Sequence, residues 1–203
     1  MTAMTAMILA GGKSSRMGRD KAFLKFGGVT MVENLVSLLI PLFEETFVIA
    51  EEKEKFKSLN LGPARVCEDF IKGRGPLAGI YSGLSYSKTQ ASAVFTCDMP
   101  FIDSSFIEEL IEFWEGDFDA LAIEDGKGRL EPFPGIYARS SRHLMRLLLN
   151  RKEASMHRFL EVAVVKKLIL RKERVRILTN MNTIEDYYAV LKEKEEHYGG
   201  IGA

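Results

Sequence analysis

Two adjacent glycines, Gly11 and Gly12, end a short apolar run over residues 7–10, and the cations Lys13, Arg16, Arg19 and Lys21 follow at once. A strand that stops on glycines can turn sharply, and it leaves backbone N–H groups without side-chain cover. Bare amides among fixed cations make a receptor for a multiply charged anion, most simply a nucleoside triphosphate. The competing reading is an ordinary tight turn with solvated charges. Two further apolar runs end in acid: residues 93–97 on Asp98, and residues 64–67 on Glu68-Asp69. An aspartate directly after buried strand residues is costly unless something pairs with it. Magnesium takes one or two carboxylates together with phosphate oxygens and water, so Asp98 reads as a metal ligand, with a turn aspartate before Pro100 as the alternative. Asp69 reads either as a nucleotide contact or as a strand end in solvent.

Other glycine loops do not fit. Gly12-Lys13-Ser14 matches the tail of a P-loop, but Met7 stands where that motif needs its first glycine. The dinucleotide pattern G-x-G-x-x-G is not formed by Gly11-Gly12-Lys13. His143, His157 and His197 fall in no metal-ligand spacing, and no G-x-S-x-G, C-x-x-C or H-E-x-x-H occurs.

The elements that must position these residues alternate between strand and helix. Thr30 and Glu33 form a capping box for an amphipathic helix carrying Val32, Leu35, Val36, Leu39 and Leu42. Residues 46–50 form a β-branched apolar strand, and residues 51–58 a short exposed helix. Pro76 opens a helix on which Gly79 and Gly83, four apart, leave one face bare for close approach to a strand or ligand. Ser105 with Glu108 caps a helix to about residue 114. Residues 139–149 are expected to be helical with Leu144, Leu147 and Leu148 inward, and residues 162–178 strand-like and basic. Asn182 with Glu185 caps a last helix. Strands alternating with helices predict an α/β fold, a three-layer Rossmann-like sandwich with a mainly parallel sheet covered on both faces. In such sheets ligands bind beyond the carboxyl ends of the strands, where the Gly11-Gly12 loop, Asp69 and Asp98 all fall.

The 203 residues suit one domain, and 46% hydrophobic residues suffice for a core. Acidic and basic residues balance at 28 each, which argues against nucleic acid or a membrane surface as partner. No run is long enough to span a bilayer, and the first residues lack the pattern of a signal peptide. Cys67 and Cys97 read as buried, reduced thiols, and the expected location is cytoplasmic.

Residues 9–21, Leu-Ala-Gly-Gly-Lys-Ser-Ser-Arg-Met-Gly-Arg-Asp-Lys, resemble the signature of the nucleotidyltransferase superfamily. With Gly75-Pro76-Leu77-Ala78-Gly79, Cys97-Asp98-Met99-Pro100 and Asn180-Met181-Asn182-Thr183, the chain is most similar to the molybdenum cofactor guanylyltransferase family. The resemblance implies the nucleotide-diphospho-sugar transferase type of fold. It divides one domain, residues 1–203, into a nucleotide-binding half (5–123) and an acceptor-binding half (124–198). It also implies transfer of GMP from GTP to the terminal phosphate of molybdopterin, with release of pyrophosphate. By this resemblance Leu9, Ala10 and Gly11 face the base through their backbone, and Lys21 contacts the triphosphate. Asp69 contacts the nucleotide, Asp98 binds Mg2+, and Asn180 and Asn182 hold the pterin. Arg16 and Lys21 would stabilise the leaving pyrophosphate, and the Gly11 and Gly12 amides would hold its oxygens. Where the family often has asparagine at the end of the second strand, this chain has Ala50. Capping alone would account for Asn182, so Asn180 is the stronger acceptor ligand on sequence grounds. The segments 128–132 and 155–159 also resemble family segments near the acceptor. The basic residues Lys166, Lys167, Arg171, Lys172, Arg174 and Arg176 form either a solvated strand face or a docking surface for a partner, such as a molybdoenzyme or a cofactor-delivery protein. Competing functions are a cytidylyltransferase on the same pterin, a sugar- or alcohol-phosphate nucleotidyltransferase, and a non-catalytic GTP- or cofactor-binding delivery module.

Overall fold

A computed structural model describes residues 2–11, 20–151 and 154–198. Gly12 and Arg16, together with Lys13 and Arg19, lie outside the described residues. A seven-stranded sheet forms the middle layer, in the order β5-β4-β1-β6-β8-β7-β9. Its strands are β1 (Thr2–Leu9), β4 (Phe43–Ala50), β5 (Arg65–Glu68), β6 (Ala91–Thr96), β7 (Ala120–Glu124), β8 (Leu130–Ala138) and β9 (Val165–Ile169). Only β8 runs against its neighbours, pairing antiparallel with β6 and β7, while the β4–β5, β1–β4, β1–β6 and β7–β9 pairs are parallel. β2 (Lys25–Phe26) and β3 (Val29–Thr30) make a separate small hairpin.

Alternation along the strands builds two cores. Ala6, Ile8 and Ala10 of the first strand segment face α1 (Met31–Leu39) and α3 (Ser104–Glu112), whose buried residues include Val36 and Phe106. Met7 and Leu9 face the other way, toward α2 (Pro76–Tyr86), α4 (Arg142–Leu149) and α5 (Met156–Val162). Each fully buried Leu, Ile, Phe or Met contributes roughly 1.5–3 kcal/mol, so these two layers dominate stability. A third, smaller cluster joins Leu24, Phe26 and Met31 to Met181 and to Val190 of the last helix, α6 (Ile184–Tyr198).

The chain runs from β1 outward to β4 and β5, then crosses back to β6 on the other side of β1. The reversal opens a crevice at the carboxyl end of β1. The glycines of α2 are what let that helix lie close to the sheet. A Cβ at Gly83 would fall 2.5 Å from Met7 Sδ, and one at Gly79 would fall 3.2 Å from Leu9 Cδ2.

Several elements differ from the sequence reading. β1 begins at Thr2 rather than at residue 7, because buried Thr5 shares its hydroxyl with Ser87 and Thr89 at 2.8 and 2.9 Å instead of ending the strand. Residues 51–58 contain a 3-10 helix (Lys53–Phe56), but Phe56 is buried against Phe23. The α3 cap is Asp103, which accepts the Phe106 N–H at 2.8 Å, and not the Ser105–Glu108 pair. On α4 the inward stripe is Met145, Leu148 and Leu149, and Leu147 is 61% exposed. The 162–178 segment is not one strand: α5 ends at Val162, β9 finds five partners on β7 and stops at Ile169, and a 3-10 helix (Lys172–Leu178) follows.

Candidate active site

The crevice holds a cavity of about 470 Å³, within the range that buries most of a nucleotide-sized ligand. Strand ends supply its floor: Leu9, Ala10 and Gly11 after β1, Ala50 and Glu51 after β4, and Thr96 to Asp98 after β6. Asp69, Gly75 and Gly79 line the side toward α2, and Asp20 and Lys21 line the side opposite.

Asp98 is held on all its oxygens. Its Oδ2 accepts from Lys21 Nζ at 3.0 Å, its Oδ1 accepts from the Thr96 hydroxyl at 2.6 Å, and its carbonyl accepts from Met181 N–H at 2.9 Å. The Lys21 and Asp98 side chains are about one-fifth exposed (21% and 22%), so the pair is only partly screened by water. Lys21 starts a 3-10 helix (Lys21–Phe23) capped by Asp20, whose carboxylate accepts the Ala22 N–H at 3.1 Å. Burial raises the Asp20 carboxyl above its ordinary range, against the lowering effect of that bond. The neighbouring Cys97 thiol is pushed far up by burial and stays protonated, so it offers no nucleophile.

Across the crevice, Asp69 is buried and not a strand end in solvent. Its Oδ1 accepts from Ser82 Oγ at 2.8 Å and from Ile71 N–H at 2.9 Å, which folds the 70–75 loop back onto α2. Gly73 donates its N–H to Glu51 Oε1 at 2.9 Å, and Arg74 donates to the carbonyls of Leu149 and Arg151 at the end of α4. Gly75 then caps α2 with φ of 72°, a left-handed backbone that favours glycine, and Pro76 takes the first helical position. The loop therefore presents its glycines to the cavity as backbone.

The two asparagines expected to hold the acceptor differ in their surroundings. Thr183 and Asp186, not Asn182 and Glu185, cap α6: Asp186 accepts the N–H groups of Asn182 and Thr183 at 2.8 Å each, and Thr183 Oγ1 accepts the Asp186 N–H at 3.1 Å. Those bonds hold the Asp186 carboxyl below its usual range. Freed from capping, the Asn182 carboxamide oxygen accepts from Lys21 Nζ at 3.1 Å. Asn180 is exposed on the same segment. Tyr187 completes this link by donating its hydroxyl to the Lys25 carbonyl at 2.7 Å.

Much of the basic run is partnered within the chain. Lys166 meets Glu115 at 2.8 Å and lies over the Phe113 ring, Lys167 meets Glu124 at 3.4 Å, and Arg174 bonds Ser105. Arg176 pairs with Glu193 and stacks on Phe101. Glu51 and Thr96 were not legible as site residues, because one depends on a loop bond and the other on an aspartate two positions later.

Residues 6–171 match the family described as the MobA-like NTP transferase domain. The chain belongs to that family. It is a nucleotidyltransferase. A relative from Clostridium perfringens (strain 13), named "Probable molybdenum cofactor guanylyltransferase", is 34% identical, with 96% of this chain and 100% of that protein aligned. A relative of the same name from Carboxydothermus hydrogenoformans is 35% identical over 95% of this chain and 97% of its own length. Among solved structures, the molybdopterin-guanine dinucleotide biosynthesis protein A of Archaeoglobus fulgidus has the same fold, with a TM-score of 0.81 and 24% identity. It covers 95% of this chain and 100% of its own. The mainly parallel, helix-covered sheet expected from the sequence is thus the fold of these nucleotidyltransferases. Among the described residues, no helix is long and apolar enough to cross a membrane.

Proposed function

We propose that this nucleotidyltransferase moves GMP from GTP to the terminal phosphate of molybdopterin, in the presence of Mg2+, and releases pyrophosphate. The observation that carries the reading is the convergence of the Lys21–Asp98 pair with the backbone-lined cavity at the reversal of strand order. The names of the curated relatives supply the guanine and the cofactor. An acceptor phosphate oxygen attacks the α-phosphorus, the bond from that phosphorus to the β-phosphate oxygen breaks, and the electron pair leaves with pyrophosphate. No proton transfer is required, so the protein's task is placement and neutralisation of charge.

The residues present fit a magnesium ion. Asp98 offers one carboxylate whose Oδ2 already faces a cation and whose Oδ1 is fixed by Thr96. A magnesium ion held by this one carboxylate would take its other ligands from phosphate oxygens and water. When bound, magnesium would withdraw charge from the phosphates. The Lys21 ammonium would meet charge developing on the leaving group, with Arg16 assisting. The N–H groups at Gly11 and Gly12 would receive phosphate oxygens, the backbone of Leu9 and Ala10 would face the base, and Asp69 would bind at the far end of the nucleotide. Asn182, which accepts from Lys21, and the exposed Asn180 two residues before it would hold the acceptor. The chemistry suits a cytoplasmic enzyme that hands its product to molybdoenzymes or their delivery proteins.

Pyrophosphate release from GTP, molybdopterin and Mg2+ tests the reading. Asp98→Ala should lower kcat by about 10²-fold or more. Near-wild-type turnover would defeat the metal assignment, and a preference for CTP in a nucleotide panel would defeat the guanine assignment.

A further inference from the structure

Lys21 Nζ lies 3.0 Å from Asp98 Oδ2 and 3.1 Å from Asn182 Oδ1. The ammonium therefore occupies Oδ2, the Asp98 carboxylate oxygen that Thr96 leaves free for a metal. Two cations at contact with one partly buried carboxylate oxygen repel strongly, so one must leave when the other binds. Lys21 has somewhere to go. Its second acceptor is a neutral carboxamide that capping does not consume, since Thr183 and Asp186 close the start of α6. The backbone of Lys21 is fixed by the Asp20 cap, whereas its four-carbon stem lets the charged head swing.

We infer that Lys21 is a built-in counter-ion that keeps free divalent metal off Asp98, and that Asn182 retains the ammonium beside the site when metal arrives with a triphosphate. The inference rests on the magnesium reading of Asp98. Charge explains the selectivity. A bare divalent ion must break the Lys21–Asp98 pair and leave the ammonium to the neutral Asn182 and the more distant field of Asp186, whose oxygens already accept two backbone N–H groups. A metal–triphosphate complex brings net negative charge, so the displaced ammonium exchanges one anionic partner for another. Asn182 is a positioning residue in this scheme, because a neutral oxygen holds Lys21 near without drawing the metal. Metal and nucleotide then enter together.

Titration of the nucleotide-free protein with Mn2+ alone, followed by the electron paramagnetic resonance of unbound Mn2+, reads this directly. Lys21→Met should bind Mn2+ at least about tenfold more tightly than the wild type, because an apposed unit charge has been removed. The double variant Lys21→Met/Asp98→Ala should lose that gain. Lys21→Gln, which keeps a polar head, serves as the second variant and should show the same direction. Asn182→Ala should leave free Mn2+ binding at the wild-type level while raising KM for GTP more than it lowers kcat. Equal Mn2+ affinity in the wild type and both Lys21 variants would overturn the inference. So would a gain in Asn182→Ala as large as that of Lys21→Met, which would attribute the effect to a loosened segment. If Asp98→Ala is inactive but the Lys21 variants gain nothing, the counter-ion role alone fails. Full turnover by Asp98→Ala would remove both readings.

Discussion

Asp98 shows how one side chain is fixed from three directions: strand, loop and C-terminal segment each supply a donor. Thr96 is the least obvious of them. Thr96→Val keeps the shape but removes the 2.6 Å donor to Oδ1. A hydrogen bond to a charged group is worth about 1.5–3 kcal/mol. The melting temperature should fall by about 3–12 °C, and kcat/KM in the pyrophosphate assay about tenfold or more because Asp98 is no longer held. Asp98 stood out in the sequence because an acid after an apolar run has a cost that demands a partner, whereas the local pattern left Asp69 open between a ligand contact and a strand end in solvent. Asn182 was misread for a reason equally local. Asn182-x-x-Glu185 and Thr183-x-x-Asp186 are overlapping capping signatures one residue apart, and the sequence alone does not choose between them. The backbone selects the second, and so releases the asparagine to Lys21.

Helices α1 and α6 each start on a reciprocal capping pair, Thr30 with Glu33 and Thr183 with Asp186. Both carboxyls sit below their ordinary values, Glu33 chiefly through the Thr30 hydroxyl and Asp186 through two backbone N–H groups. A carboxyl with a depressed folded-state pKa adds stability that is complete above its unfolded value of roughly 4 and is lost as pH falls through the folded value. Thermal melts should accordingly show Glu33→Gln less stable than the wild type at pH 7, and the gap should close as the pH drops below about 4. A gap independent of pH would point to packing instead. The first box was readable because its spacing directly precedes an amphipathic run. By contrast, the single-strand reading of residues 162–178 failed because strand length there is set by how many residues β7 offers, a tertiary fact absent from local pattern.

At the scale of the molecule, the two large cores carry the sheet, and the small cluster under α6 ties residues 24–31 to residues 181–190. Met181 is fully buried there among Leu24, Phe26, Met31 and Val190. Met181→Ala should cost about 2–5 kcal/mol of local packing. The expected signature is a loss of GTP affinity larger than the fall in melting temperature, because the cluster supports Lys21 and Asp98 more than it supports the sheet. A uniform drop in both would show that the cluster is part of the main core. The alternating pattern of strands and helices made the layered architecture readable, but no periodicity announces that residues 181–187 lie against residues 21–26. That contact has a consequence during synthesis. A nascent chain can pair β1 with β4 and β6 soon after residue 96 clears the ribosome, whereas the lysine near its start waits for an asparagine made 161 positions later. Translation halted between the end of β9 and Asn182 would yield every strand of the sheet around a site still missing its last partner.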